Sequence, residues 1–223
     1  MKVHRAPLIS RVAAFLARQV LRATARVSVI GFDTLPQDGP LIIVANHISN
    51  ADPPLVFGWL TPAVGRQMHI LAKEALFVGP VGWFLRRNGV TPVKSGGSDI
   101  EAYRLAKQVL DRGDVLCIFP EGTRSATGVM QEAKPGVAML ATRSGVPVVP
   151  IGISGSDTFL GRGKRMPRFG TRITLRAGEP FTVELDASIP RRAAMSQASD
   201  EIMRRLAALV DERHRGRFTA TGV

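Results

Sequence analysis

The chain has one cysteine, one tyrosine, two tryptophans and no long apolar run. Each scarcity excludes something. Cys117 alone cannot form a disulfide within the chain. Unbroken apolar stretches such as Leu41–Ala45 fall far short of the roughly 20 residues that span a bilayer. The apolar stretch after Ile9 is broken by Arg11 and Arg18, which spoils a secretory leader, so the cytosolic side is the expected compartment. His4, His69 and His214 lack ligand spacing with Cys117 or acidic partners, and no metal is expected.

What is present is a sequence of 223 residues, 45% hydrophobic and 22% charged, long enough for one globular domain with a sizeable core. Its net charge is +12. Two segments carry that excess. Residues 1–30 hold Lys2, Arg5, Arg11, Arg18, Arg22 and Arg26 with no acid, and residues 158–178 hold Arg162, Lys164, Arg165, Arg168, Arg172 and Arg176, again with none. A neutral body with two cationic patches points to an anionic partner: lipid, acidic protein or nucleic acid. A recognisable nucleic-acid reader motif is absent, and Tyr103 lies outside both patches, so no nucleic acid is expected.

From Leu8 to Arg26, at 100° per residue, Arg11, Arg18, Arg22 and Arg26 share a face opposite Ile9, Val12, Ala13, Leu16 and Val20. Such a basic amphipathic helix either packs its apolar side on the body or lies in a membrane interface. After the turn residues Pro36–Pro40, Leu41–Ala45 reads as a buried strand, and Asp52-Pro53-Pro54 as the start of a helix capped by Asp52. Short apolar runs at Met68–Ala72, Gly89–Val93, Val115–Phe119, Val146–Ile153 and Ile173–Ala177 alternate with helical patterns at Ile100–Leu110 and Val137–Arg143. This order predicts a single α/β domain with a largely parallel sheet covered by helices. The Gly- and Pro-interrupted apolar stretch Leu55–Leu85 reads either as core or as the wall of an acyl-chain groove or bilayer contact. Ser95–Ser98 is the one linker-like spot, and a last helix follows Pro190.

Two constellations carry chemistry. His47 stands at a strand end, with Asp52 five positions on across a tight turn. A carboxylate bonded to one ring nitrogen fixes the tautomer and leaves the other nitrogen to take a proton; alternatively Asp52 only caps its helix. Phe119-Pro120-Glu121-Gly122-Thr123-Arg124 ends a second apolar strand. Its Arg124 suits phosphate or carboxylate, and Glu121 suits substrate hydroxyls; alternatively the two close the loop as an ion pair.

Together these blocks resemble the glycerophospholipid acyltransferases typified by 1-acylglycerol-3-phosphate acyltransferase. The His-four residues-Asp block is similar to His47–Asp52, the Phe-Pro-Glu-Gly-Thr-Arg block is matched at 119–124, and the proline-rich strand resembles Val146–Gly152. Lys73-Glu74-Ala75-Leu76-Phe77, Lys134-Pro135-Gly136 and Gly178-Glu179-Pro180 extend the resemblance over about residues 28–182. It departs from the family where Ser95 stands in place of an expected Arg, beside Lys94.

The resemblance implies transfer of an acyl group from a coenzyme A or acyl-carrier-protein thioester to the hydroxyl of lysophosphatidic acid, with no bound cofactor. His47 is then the general base and Asp52 its orienter. Glu121, Gly122 and Thr123 line the acceptor, Glu121 touching its glycerol, and Arg124 with Lys73 or Lys94 holds its phosphate. Another lysolipid or lipid-linked acceptor is the alternative. The expected layout is an interface helix over residues 1–27, an acyltransferase domain over 28–213 and a loose tail over 214–223. The protein is expected peripherally on the cytoplasmic face of the cell membrane, held to anionic lipid by Arg11, Arg18 and Arg22, with acyl carrier protein as a candidate partner of the second patch.

Overall fold

The computed structural model describes residues 5–94 and 99–219; the linker-like Ser95–Ser98 lies outside them. Helix α1 (Leu8–Thr24) leads into strand β1 (Ala25–Ile30). Then follow β2 (Leu41–Ala45), α2 (Asp52–Val64), β3 (Met68–Lys73), α3 (Gly79–Arg87), β4 (Val90–Val93) and α4 (Asp99–Asp111). The second half runs β5 (Val115–Ile118), α5 (Pro135–Ser144), β6 (Val148–Ser154), α6 (Ser156–Leu160), β7 (Thr171–Ala177) and α7 (Arg191–Ala207).

Among the described residues seven strands form one sheet, in the order β1-β7-β6-β2-β5-β3-β4. The run β6-β2-β5-β3-β4 is parallel, β7 is antiparallel to β6, and β1 follows β7 in parallel. The expected α/β sheet is therefore present, largely parallel and covered by helices. Each residue of β2 is fully buried, because both faces of the central strand are covered. Leu41, Ile43 and Ala45 pack with α2 on one side, while Ile42 and Val44 pack with α5 on the other. Burial of one such side chain is worth about 1.5–3 kcal/mol.

This connectivity places the candidate site at the carboxyl edge of the sheet. From β2 the chain crosses through α2 to β3, whereas from β5, the strand beside β2, it crosses through α5 to β6 on the opposite side of β2. The loops after β2 and β5 thus diverge to opposite faces of the sheet and leave a gap at its carboxyl edge, where α/β folds place ligands.

Two expectations change, at the end of the first helix and in the tail, and an open alternative for the first helix is narrowed. The first helix stops at Thr24, and residues 25–27 begin β1, because Arg26-Val27-Ser28-Val29 alternates polar and branched apolar residues as a strand does. The side of α1 that packs on α2 carries the small residues Ser10, Ala13 and Ala14 with Leu21, not the run of large apolar residues expected opposite the arginines. Small side chains let the helices approach closely, so that a Cβ at Gly58 would lie 3.6 Å from the Ala14 carbonyl oxygen. Leu8, Val12, Phe15, Leu16 and Val20 face outward. The expected loose tail from 214 is packed as far as Phe218: Glu212–His214 and Gly216–Phe218 form short 3₁₀ turns, and His214 and Phe218 are buried. Phe218 lies with Met130, Met203, Leu206, Ala207 and Val210, which supplies the apolar burial that a free tail lacks.

Candidate active site

β2 ends at Ala45, and the next residue, Asn46, is buried and bonded both ways to Ile153 of β6, its Nδ2 donating to the carbonyl (2.9 Å) and its Oδ1 accepting from the N–H (2.7 Å). This fixes the turn that follows. His47 Nδ1 lies 2.9 Å from Asp52 Oδ2. The same oxygen accepts from the N–H groups of Ile48 (2.7 Å) and Ser49 (2.6 Å), and Oδ1 accepts from Ser156 Oγ (2.6 Å). The Asp52 carboxylate therefore folds back onto the 47–49 turn. It does not cap α2 as expected: Ala51 occupies the cap position and Asp52 is already helical, because Pro53 and Pro54 set the first turn without a side-chain cap.

The geometry decides the tautomer. Only donors face Asp52, so Nδ1 carries the hydrogen and Nε2 keeps its lone pair. The ring stacks on Phe119, centroids 4.3 Å apart. His47 keeps 15% of its side-chain exposure and Asp52 none, so the imidazole alone meets solvent. Such a pair can remove a proton from a hydroxyl held at Nε2.

The loop after β5 grips His47 by its backbone. Glu121 Oε1 accepts from the His47 N–H (3.0 Å), and the Ser125 N–H donates to the His47 carbonyl (2.8 Å). Glu121 Oε2 accepts from the Gln131 N–H (3.0 Å). Burial pushes the Glu121 carboxyl above its ordinary range, and those two N–H bonds oppose that shift without cancelling it. Glu121 therefore braces the backbone where a contact with glycerol was expected, since the side chain is buried and each oxygen holds a backbone donor. For the same reason it forms no ion pair with Arg124. Arg124 is half-buried, and its Nη1 is shielded from solvent without a hydrogen-bond partner among the described residues. An unpaired guanidinium nitrogen of this kind suits an incoming anion.

Gly122 turns the loop at φ 69°, donating its N–H to the Phe119 carbonyl. A Cβ there would stand 2.5 Å from Lys134 Cε, so the Lys134 side chain lies across the glycine. Thr123 is exposed beside it. Lys73 ends β3, and Lys94 follows the end of β4; both are exposed at the same sheet edge as His47. Their strands stand two and three places from β2, roughly 10 and 14 Å at the usual spacing. Because β4 ends at Val93, strand alternation does not dictate where Lys94 points. Ser95 lies outside the described residues.

Sequence reasoning missed Ser156 and Asn46, although Gly155-Ser156 after an apolar strand end was a signal available for the former. Cys117 is no nucleophile: buried in β5, its thiol is pushed up to about 12. Among the described residues no three His, Cys, Asp or Glu side chains gather as metal ligands.

Residues 26–154 match the family described as Acyltransferase. The chain is 34% identical over 146 residues to the chloroplastic 1-acyl-sn-glycerol-3-phosphate acyltransferase BAT2 of Brassica napus, covering 64% of this chain and 39% of that one. It thus spans about two fifths of that relative's length. It is 28% identical over 203 residues to the 1-acyl-sn-glycerol-3-phosphate acyltransferase of Bacillus subtilis, covering 86% of this chain and 94% of that one. The crystal structure of the 1-acyl-sn-glycerophosphate acyltransferase PlsC from Thermotoga maritima superposes with a TM-score of 0.70 at 26% identity, over 91% of this chain and 80% of that one.

Proposed function

The chain belongs to the acyltransferase family, and on that premise we propose that it moves a fatty acyl group from a thioester to the free hydroxyl of 1-acyl-glycerol-3-phosphate. The observation that carries this reading is the His47–Asp52 pair, whose imidazole stays partly exposed while its carboxylate partner is buried. Nε2 takes the acceptor's hydroxyl proton as its oxygen attacks the thioester carbon. The tetrahedral intermediate then expels the thiolate, which receives the proton back from the imidazolium. A thioester is already activated, so no acyl-enzyme is formed. Arg124 binds the acceptor phosphate with its unpaired Nη1, and Lys73 or Lys94 adds charge at the crevice rim. No resident cofactor takes part; the acyl donor is a co-substrate.

The surface fits a lipid-borne acceptor. No helix among the described residues is long and apolar enough to cross a membrane. Approach is therefore through α1, whose outward Leu8, Val12, Phe15, Leu16 and Val20 enter the interface while Arg11, Arg18 and Arg22 meet anionic headgroups. On this reading the protein works peripherally, on the cytoplasmic face of the cell membrane. The donor is carried to the second patch. Arg162, Lys164, Arg165 and Arg168 are exposed on the loop between α6 and β7, next to the helix that supplies Ser156, and suit an acidic acyl carrier protein.

The test is acyl transfer by the purified protein against a panel of lysolipids with acyl-coenzyme A and acyl carrier protein as donors. Turnover of lysophosphatidic acid above other acceptors supports the reading. Preference for an acceptor without a phosphate monoester replaces it with another lysolipid or lipid-linked acceptor, and no transfer to any acceptor overturns it.

A further inference from the structure

Beyond residue 154, where the family match ends, the chain returns to the site. The Asp211 N–H donates to Ser154 Oγ (2.9 Å), and Arg213 forks onto Asp157 with two bonds of 3.1 Å. The next residue, His214, is buried, with Nδ1 2.6 Å from the Gly128 carbonyl oxygen. Its own carbonyl accepts from the Met130 N–H (2.8 Å). A carbonyl only accepts, so Nδ1 carries the hydrogen. Gly216, at φ 57°, presses on the same loop, where a Cβ would stand 2.7 Å from Val129 Cγ1 and 3.0 Å from the Met130 carbonyl oxygen. Phe218 packs on Met130.

Residues 211–218 therefore form a strap over the loop that follows β5. Between Phe119 and Lys134 that loop has no helix or strand of its own, so its shape depends on such outside partners. One residue past the strapped Met130, the Gln131 N–H holds Glu121 Oε2, and Glu121 Oε1 holds the His47 N–H. The path from strap to general base runs through His214, Gly128 and Met130, Gln131, Glu121 and His47, each link being a hydrogen bond or adjacent backbone.

We propose that His214 is a positioning residue for His47, acting through the loop it clamps. This rests on the acyl-transfer reading for its effect on turnover, but its effect on the loop is independent of that reading. His214 also brings Nε2 to 3.6 Å from Asp157 Oδ1, away from the loop; a positioning role through Gly128 differs from simple packing in being restored by a side chain that keeps only the Nδ1 donor. The amide nitrogen of Asn can stand where Nδ1 stands; Ala has no donor.

The experiment compares His214→Ala and His214→Asn with wild type by steady-state kinetics and by hydrogen exchange of the peptides spanning 125–134. In folded H214A, kcat should fall about tenfold with the KM for the thioester changed by less than about twofold, as for a misplaced catalytic group. Exchange should rise over 125–131 while β2, β5 and β6 stay protected. H214N should recover most of the lost turnover and loop protection. Unchanged turnover and loop exchange in H214A overturn the proposal. So does an H214N variant as impaired as H214A, or exchange that rises uniformly through the sheet. If wild type acylates no lysolipid, the acyl-transfer reading fails by itself, and loop exchange decides the clamp: no local rise in H214A, or no recovery in H214N, overturns it.

Discussion

Ser156 and Asp52, 104 residues apart, meet through a hydrogen bond of 2.6 Å from the serine hydroxyl to Oδ1, on the oxygen opposite the one that holds His47. The Asp52 side chain is fully buried, so this donor has no water substitute. Ser156→Ala removes a bond to a buried carboxylate, a class worth about 1.5–3 kcal/mol, and frees the carboxylate to rotate off the imidazole. Turnover should fall about tenfold with substrate KM values little changed. Wild-type turnover in S156A would show that the three remaining donors suffice.

His47→Ala should lower turnover by about a hundredfold or more, the usual worth of general-base assistance. The thermal midpoint should stay near wild type, since the ring is partly exposed and its backbone bonds to Glu121 and Ser125 need no side chain. Measured together, turnover and midpoint separate chemistry from folding; near-normal turnover in folded H47A would sink the mechanism.

Glu121 makes stability depend on pH in a known direction. Its folded carboxyl lies above the ordinary value of 4.5 because of burial. Such a group favours the folded state while protonated, and that contribution declines as pH rises through the ordinary and then the raised folded value. Glu121→Gln removes the titration. The stability of wild type relative to E121Q should therefore decrease as pH is raised from about 4 upward through this window, read as the difference in thermal midpoints. A difference that stays flat or grows with pH contradicts the assignment.

Gly122→Ala places a Cβ in left-handed backbone and against Lys134. The conformation alone costs about 1–2 kcal/mol. The variant should unfold at lower denaturant and lose affinity for the acceptor more than for the donor, since the loop carries Arg124. Equal stability by denaturant titration would mean that the loop relaxes freely.

Changing Arg11 and Arg22, both exposed on α1, to Gln should reduce sedimentation with anionic vesicles, each residue contributing about 1 kcal/mol near such a surface. Binding to neutral vesicles, carried by Leu16 and Val20, should change little. Retention on anionic vesicles in low salt would rule out the headgroup role of these arginines.

Much of the candidate site's geometry is legible in the chain. His47 and Asp52 sit within one turn, and Glu121–Arg124 within another, so their spacing survives into the fold. Leu41–Ala45 is apolar throughout and rich in branched residues, as a strand covered on both faces is, and its expected bounds match β2 to the residue. The bracing role of Glu121 is not legible, because a loop carboxylate looks exposed until the partner that buries it is known. The outward apolar face of α1 is equally hidden: periodicity gives the faces of a helix but not which one a neighbour selects, and Gly58 of α2 selects the small residues.

The sequence by itself determined the alternation of the central strands and helices, the residues that can exchange a proton and the charge that attracts an anionic partner, because these follow from side-chain chemistry and short-range spacing; β1, α3 and α6 emerged only in the fold. Only the tertiary structure decided what holds His47 in place. Asn46 reaches Ile153 across 107 residues, Ser156 reaches Asp52 across 104, and His214 reaches Gly128 across 86. Such bonds have no local pattern, since their partners become neighbours only after β6 has paired with β2 and the chain beyond α7 has folded back over the loop.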